Sequence, residues 1–554
     1  MQQYSYAVRF HDSSIYCTKF LGGISLLTTP TRTTGEDRPA SGFQRRLTRT
    51  DLTMTAIGGL IGSGWLFSAL AAATIAGPAS IVSWIIGGAA VVILGLAFAE
   101  LSATYPEAGG VIRFPQYSHG TLVSFLMGWA AIISWAAAPA MEAEAVLEYS
   151  AGYLPGLYSS AQNSLTGWGF AAATALLGMF FAVNYLGVQL YAKVNTPVTF
   201  IKLAAPTMTI IALILTAFHS GNWTRFGGFA PYGANGVFTA IAAGGIVFSF
   251  TGFRPLFDLA GEAKNPQRDI PWAFMAAMVI ASVVYLLLQT AFIGAVPASD
   301  LARGWARLAF SSPFAKLALA LNMSWLAVIL YADAVISPGG SSLVYAAAIP
   351  RALYAFARNG YFPKIFLRLN KRGIPAVTTL ASFLIAMAFL VPFPSWQKMV
   401  SIVSGATIMT YMIGPVALMT LRRTDPRCHR PYRVGRAELL APAGFVIGSL
   451  IFYWSGWPTT GWLLALTAAG AVLYVGYFVK DPSAGKWNDL RAAWWLVAFL
   501  LFVVAMSAAG SFGGHAWLRA PWDTLGVALG SLGFYYWGVF SGIRHGLAEA
   551  QRQA

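Results

Sequence analysis

Charge is scarce in this sequence. Of its 554 residues only 10% are Asp, Glu, Lys or Arg, and just 20 residues are acidic. A soluble domain carries about a quarter charged residues, so a water-soluble fold is excluded. Cysteine is nearly absent, and Cys17 and Cys428 are too few for a disulfide-stapled scaffold. The six histidines stand in no spacing that suggests a metal site, so no metal is expected. No GxxxxGK phosphate loop occurs, which argues against ATP-driven work. No nucleophile–base constellation occurs either, so the chain does not read as an enzyme. An apolar h-region with a cleavage site is missing from the N-terminus, and no signal peptide is expected.

What the chain has in abundance is apolar sequence. Hydrophobic residues make up 57% of it. Runs of about 20 apolar residues are long enough to cross a bilayer, and fourteen can be placed between 53–75 and 522–542. The sixth covers 236–257, and the eighth, at 316–349, is long enough to tilt or project. The expected fold is therefore an all-α integral membrane protein with the lipid bilayer as its main partner. The net charge of +16 does not point to nucleic acid. Basic residues cluster instead in two loops, Arg351 to Arg372 and Arg422 to Arg436. An excess of Lys and Arg marks cytoplasmic loops, so both termini are expected inside. The expected divisions are a disordered cytoplasmic tail (1–45), a core (46–435), four peripheral spans (436–543) and a short cytoplasmic tail (544–554).

Two spans are interrupted. The first contains "AIGGLIGSGWLF", with Gly58, Gly59, Gly62 and Gly64 in one stretch. The sixth contains "SFTGFRPLF", with Gly252 and Pro255 around Arg254. Glycine weakens a helix, and proline removes a donor and clashes with the preceding turn. These glycines can also serve only close helix packing. A matching pair of broken spans, however, is the best sequence pointer to a transporter site. Half-helix N-termini attract a carboxylate, and freed carbonyls attract an ammonium.

Several stretches resemble the amino acid–polyamine–organocation superfamily of amino acid permeases. They are "GGLIGSGWLF" (58–67), "AELSATYPEAGGVIRFPQYSHG" (99–120), "FTGFRPLFDLAGEAKNPQRDIPWA" (250–273), "PRALYAFARNGYFPKIFLRLNKRGIP" (350–375) and, more weakly, "LRRTDPRCHRPYR" (421–433). The resemblance implies a ten-helix core of two inverted five-helix repeats. It further implies that the first break binds the amino acid backbone through Ile61, Gly62, Ser63 and Gly64, and the sixth through Phe250, Thr251, Gly252 and Phe253. The family usually carries an acidic residue where this chain has Arg254. As a whole the chain looks closest to the bacterial aspartate–proton symporter subgroup.

Several charged positions inside spans invite a role. Arg254 either pairs with a buried carboxylate such as Asp258 or Asp333, or snorkels, or faces the cavity between the breaks. In the last case it grips a second substrate carboxylate with its planar fork. Lys202 either snorkels at the inner interface or couples transport to protons. The resemblance implies the second, since proton-coupled members can carry a lysine in helix five where sodium-coupled relatives bind the ion. A lysine that loses hydration releases its proton more readily. Asp333 and Glu144 are the acidic alternatives for that proton. Glu142, Glu144 and Glu148 otherwise read as markers of the outer end of span 3.

The expected function is secondary active uptake of an acidic amino acid with protons, by alternating access across the bacterial inner membrane. Helices 1, 2, 6 and 7 would rock against the rest, with no cofactor beyond the coupling proton. Alternatives are a neutral amino acid symporter, an exchanger, or a non-transporting sensor on a permease fold.

Overall fold

The computed structural model describes residues 45–553, apart from 107–108, 160–163, 187, 311, 371–372, 392–394 and 481–483. The expected N-terminal tail lies outside the described residues, save for Arg45. The described chain is all-α except for a short hairpin pairing Tyr158–Ser159 with Ser164–Leu165.

The first span is two helices, α1 (Arg49–Leu60) and α2 (Ser63–Ala76). A capping box starts α1: Thr48 Oγ1 accepts from the Asp51 N–H, and Asp51 Oδ2 accepts from the Thr48 N–H at 3.0 Å. Next come α3 (Ser80–Thr104), α4 (Gly110–His119), α5 (Thr121–Ser150), α6 (Gly167–Tyr185) and α7 (Val188–Ala217). The sixth span is three pieces, α8 (Gly233–Ala243), α9 (Ile246–Thr251) and α10 (Arg254–Asp258). Then follow α11 (Pro266–Ala295), the single turn α12 (Ala298–Leu301), α13 (Pro313–Ala320) and α14 (Ser324–Arg358). The remainder is α15 (Ala376–Phe389), α16 (Trp396–Tyr411), α17 (Ile413–Thr424), α18 (Ala437–Trp454), α19 (Thr459–Lys480), α20 (Ala484–Ala509) and α21 (Trp522–Gln553).

Among the described residues, ten helical segments are long and apolar enough to cross a membrane, or eleven with the bent pair 233–258 counted as one. The expected fourteen are therefore not all distinct by length and apolarity. Ser63–Thr104 runs on through a single tight turn, α15 has only 14 residues, and α21 is long but rich in Gly and Tyr. The run expected at 316–349 is also divided. Asn322 sits at φ 57°, a left-handed conformation that ends α13 before α14 begins.

The long helix α5 is almost wholly buried, packed against α4, α14, α15 and α16. It holds the partners of both broken spans. Two buried ion pairs close the end of the bundle that carries the basic loops. Arg351 grips Glu262 through Nε at 2.9 Å and Nη2 at 3.4 Å. Arg422 grips Glu100 through Nε at 2.9 Å and Nη2 at 2.6 Å, and the Val434 N–H adds a third bond to that carboxylate.

Candidate substrate-binding site

The first break falls at Ile61–Gly62, where the sequence places it. Gly62 is at φ −123°, ψ −143°, and α2 starts afresh at Ser63. The sixth span differs from expectation. Its 44° bend comes at Gly244–Gly245, where Gly245 takes φ 78°, and not at Gly252. At Gly252–Phe253 the backbone only slips a turn, at φ −65° and −72°, before Pro255 opens α10. A positive φ reverses the chain direction more than a missing proline donor does.

The two interrupted spans touch backbone to backbone at Gly59 and Gly252. A Cβ on Gly59 would lie 2.1 Å from Gly252 O, and one on Gly252 would lie 2.0 Å from Gly59 O. A methyl at either place has to push rigid backbone apart. Gly252→Ala is therefore expected to cost at least the 1–3 kcal/mol typical of overpacking (roughly). It should abolish transport, and the loss of thermal stability is measurable on purified protein.

Lys202, on α7, is fully buried. Its Nζ donates to Gly58 O at 2.5 Å and to Ser341 Oγ of α14 at 3.1 Å. Ser341 Oγ in turn donates to Gly58 O at 2.9 Å and approaches Ile61 O at 3.3 Å. The ammonium thus caps carbonyls freed by the first break, and Gly340 leaves room for its stem. It does not snorkel.

Facing it across the break is a carboxylate that sequence reasoning missed. Glu142 Oε2 accepts from the Ser63 N–H at 2.8 Å, at the N-terminus of α2. Its Oε1 presses on Gly62, where a Cβ would sit 2.5 Å away. Glu142, Glu144 and Glu148 lie in the last turns of α5, at the helix end where they are expected, and all three are buried there. Asp333 is buried on α14, about 12 Å along the helix from Ser341 at 1.5 Å per residue.

Arg254 is 1% exposed and lies inside an aromatic cage. Its Cζ is 4.6 Å from the Tyr411 ring centroid, 5.1 Å from Phe98 and 5.2 Å from Trp135. Such faces attract a cation, the more so when it is desolvated. Nη1 donates to Thr410 Oγ1. Nε and Nη2 have no hydrogen-bond partner among the described residues. That edge is the one Arg351 and Arg422 use to hold a carboxylate with two bonds. Trp135 and Glu142 are seven residues apart on α5, so one face of that helix serves both regions.

The remaining expected residues surround this centre. Gly64 admits Ser249, whose Oγ would be 2.4 Å from a Cβ there. Phe250 packs edge-on against the stacked pair of Trp84 and Tyr285, and the Tyr285 hydroxyl donates to Leu60 O at 2.5 Å. Thr251 O accepts from the Tyr411 hydroxyl at 2.7 Å, and Phe253 packs on Phe257, Phe274 and Tyr411. Trp396 covers the break from the other side. Its Nε1 donates to Ser63 Oγ at 2.7 Å and its ring stacks on Phe67. Beyond that lid is a cavity of about 470 Å³, lined among others by Glu148 and Lys316.

Comparison with known proteins decides what kind of site this is. Residues 47–475 match the model of the amino acid permease family. The chain belongs to that family. It is 41% identical over 510 residues to the glutamate/serine transporter AimA of Bacillus subtilis, covering 90% of this chain and 94% of the relative. It is 36% identical over 507 residues to the aspartate-proton symporter of the same organism, covering 90% and 97%. Human cationic amino acid transporter 4 is more distant, at 27% over 395 residues, or 69% of this chain and 60% of the relative. This permease is accordingly a multi-pass membrane protein of a transporter family and not an enzyme.

Proposed function

We propose that this permease takes up an acidic amino acid together with protons, across a bacterial inner membrane with both termini in the cytoplasm. The observation that carries the acidic reading is Arg254, a buried guanidinium whose Nε–Nη2 fork lacks a hydrogen-bond partner among the described residues. A second substrate carboxylate supplies the geometry the fork suits. The names of the two bacterial relatives, with glutamate beside serine in one and aspartate in the other, support the same class.

The amino acid backbone binds at the first break. Its carboxylate displaces Glu142 from the Ser63 N–H, and its ammonium takes carbonyls near Ile61 and Phe250. Both Lys202 and Glu142 reach across the seam between the halves expected to rock. Lys202 ties α1 to α7 and α14, and Glu142 ties α2 to α5. Loss of the ammonium proton weakens the first tie, and substrate replaces the second. That supports coupling of the proton and the substrate to one movement, as the name of the second relative suggests.

Purified permease in liposomes tests this. An acidic exterior is expected to drive accumulation of labelled glutamate or aspartate, with unlabelled lysine failing to compete. Counterflow without any response to the pH gradient would instead identify an exchanger. Serine competing as well as glutamate would favour a neutral substrate, which serine in the first relative's name makes the specific rival.

A further inference from the structure

Outside the transport site, two arginines face a cleft between α20 and α21. A cavity of about 670 Å³ opens there, lined by Arg491, Trp537, Phe540, Ser541, Arg544 and His545, among others. It sits at the end of the bundle that carries the basic loops, because α21 meets α17 at Gly546 and Thr424. Both arginines are exposed. Among the described residues neither has a hydrogen bond or an ion pair. The nearby carboxylate of Asp489 is already engaged: it accepts from the Thr121 N–H at 2.8 Å and meets His545 Nε2 at 2.7 Å. His545 Nδ1 is buried and has no hydrogen-bond partner.

The order of residues along α21 is informative. Trp537, Phe540, Ser541 and Arg544 recur at three- and four-residue steps and share a face. Trp537 is 47% exposed and Phe540 58%. Within about 10 Å of helix, at 1.5 Å per residue, that face passes from exposed aromatic to exposed guanidinium. A soluble anion needs only the basic end of such a stripe. A phospholipid uses both, with acyl chains against the aromatics and phosphate between the arginines. Anionic lipids are drawn to basic pockets between helices at the cytoplasmic surface, and tryptophan marks the headgroup level.

We propose that the cleft between α20 and α21 is a binding site for one anionic phospholipid. Its phosphate is held by Arg491 and Arg544, with the His545 ring at the inner wall. The ligand also touches the core. The Asp489 carboxylate that holds His545 accepts from the first N–H of α5, so the lipid, His545, Asp489 and α5 form one chain of contacts.

Native mass spectrometry of the full chain, released from bilayers of equal phosphatidylglycerol and phosphatidylcholine, tests the site. The wild type should retain one phosphatidylglycerol with about a ten- to hundredfold preference, the scale of one or two charge-assisted contacts. Arg491→Gln with Arg544→Gln should bring retention of the two lipids to parity. Arg519→Gln, at the opposite end of the same helix pair, should leave the preference intact and so shows that net charge alone is not responsible. If the double variant does not fold, each single variant should lower the preference part-way. No preference in the wild type, or an unchanged one in the folded double variant, overturns the proposal. So does loss of the preference on adding inorganic phosphate, which would mark a site for soluble anions. No amino acid uptake is read here, so this outcome is independent of the transport assay.

Discussion

Arg254→Ala is expected to weaken aspartate and glutamate binding by about tenfold to several hundredfold, with serine binding little changed. Charge-assisted hydrogen bonds contribute roughly 1.5–3 kcal/mol each, and 1.4 kcal/mol is tenfold in affinity. The lower figure corresponds to one lost bond and the upper to both arms of the fork. Arg254→Lys should recover only part of the loss, because an ammonium keeps the charge and its attraction to the Tyr411, Phe98 and Trp135 rings but has no planar pair of donors. Calorimetric titration of the three proteins with aspartate and serine measures this. A structural role makes a different forecast. If Arg254 served only to balance Asp258, the Ala variant would be poorly folded and neutralising Asp258 would rescue it. A well-folded Arg254→Ala that still prefers aspartate over serine removes the acidic assignment.

Lys202→Ala should abolish accumulation driven by a pH gradient while counterflow of labelled substrate persists. The variant removes the proposed proton carrier and the tie from Gly58 O to α7 at one stroke, and leaves the Ser341 bond from α14 to Gly58 O in place. The expected result is equal substrate inside and outside, whatever gradient is imposed. Lys202→Ala uptake that still follows the gradient would move the coupling role to Glu142 and Asp333. Glu142→Gln separates those two. The amide keeps an acceptor for the Ser63 N–H but carries no titrating charge.

The parts of the site legible in the sequence were those written as exceptions to a local rule. Glycines crowded into a span marked the first break, and a lysine and an arginine inside apolar runs marked Lys202 and Arg254. Glu142 was hidden by its company. Three glutamates within seven residues near a span terminus read as markers of a helix end, and only the fold shows that this end of α5 is buried. The spacing from Trp135 to Glu142 was the available signal, because seven residues return to the same helix face. Ser341 and Trp396 had no signal at all. Each is an ordinary residue whose role comes from a contact across more than 250 positions. The bend at Gly244–Gly245 was overlooked because a glycine pair near the start of a span also suits plain packing. The aromatic cage is likewise invisible in one dimension, since Phe98, Trp135 and Tyr411 arrive on three different helices.

The contact of Gly59 with Gly252 bears on how such a carrier changes its diet. Every α-amino acid presents the same ammonium and carboxylate, and at the proposed site the chain meets them with peptide groups, which no codon change can remove. The side chains proposed to set the remainder of the substrate lie on α3, α5, α10 and α16. New specificities can therefore arise by substitutions around Arg254 without rebuilding the part that recognises an amino acid as such. A laboratory library confined to Phe98, Trp135, Arg254, Thr410 and Tyr411 follows the same route, and the glycines are best left out of it.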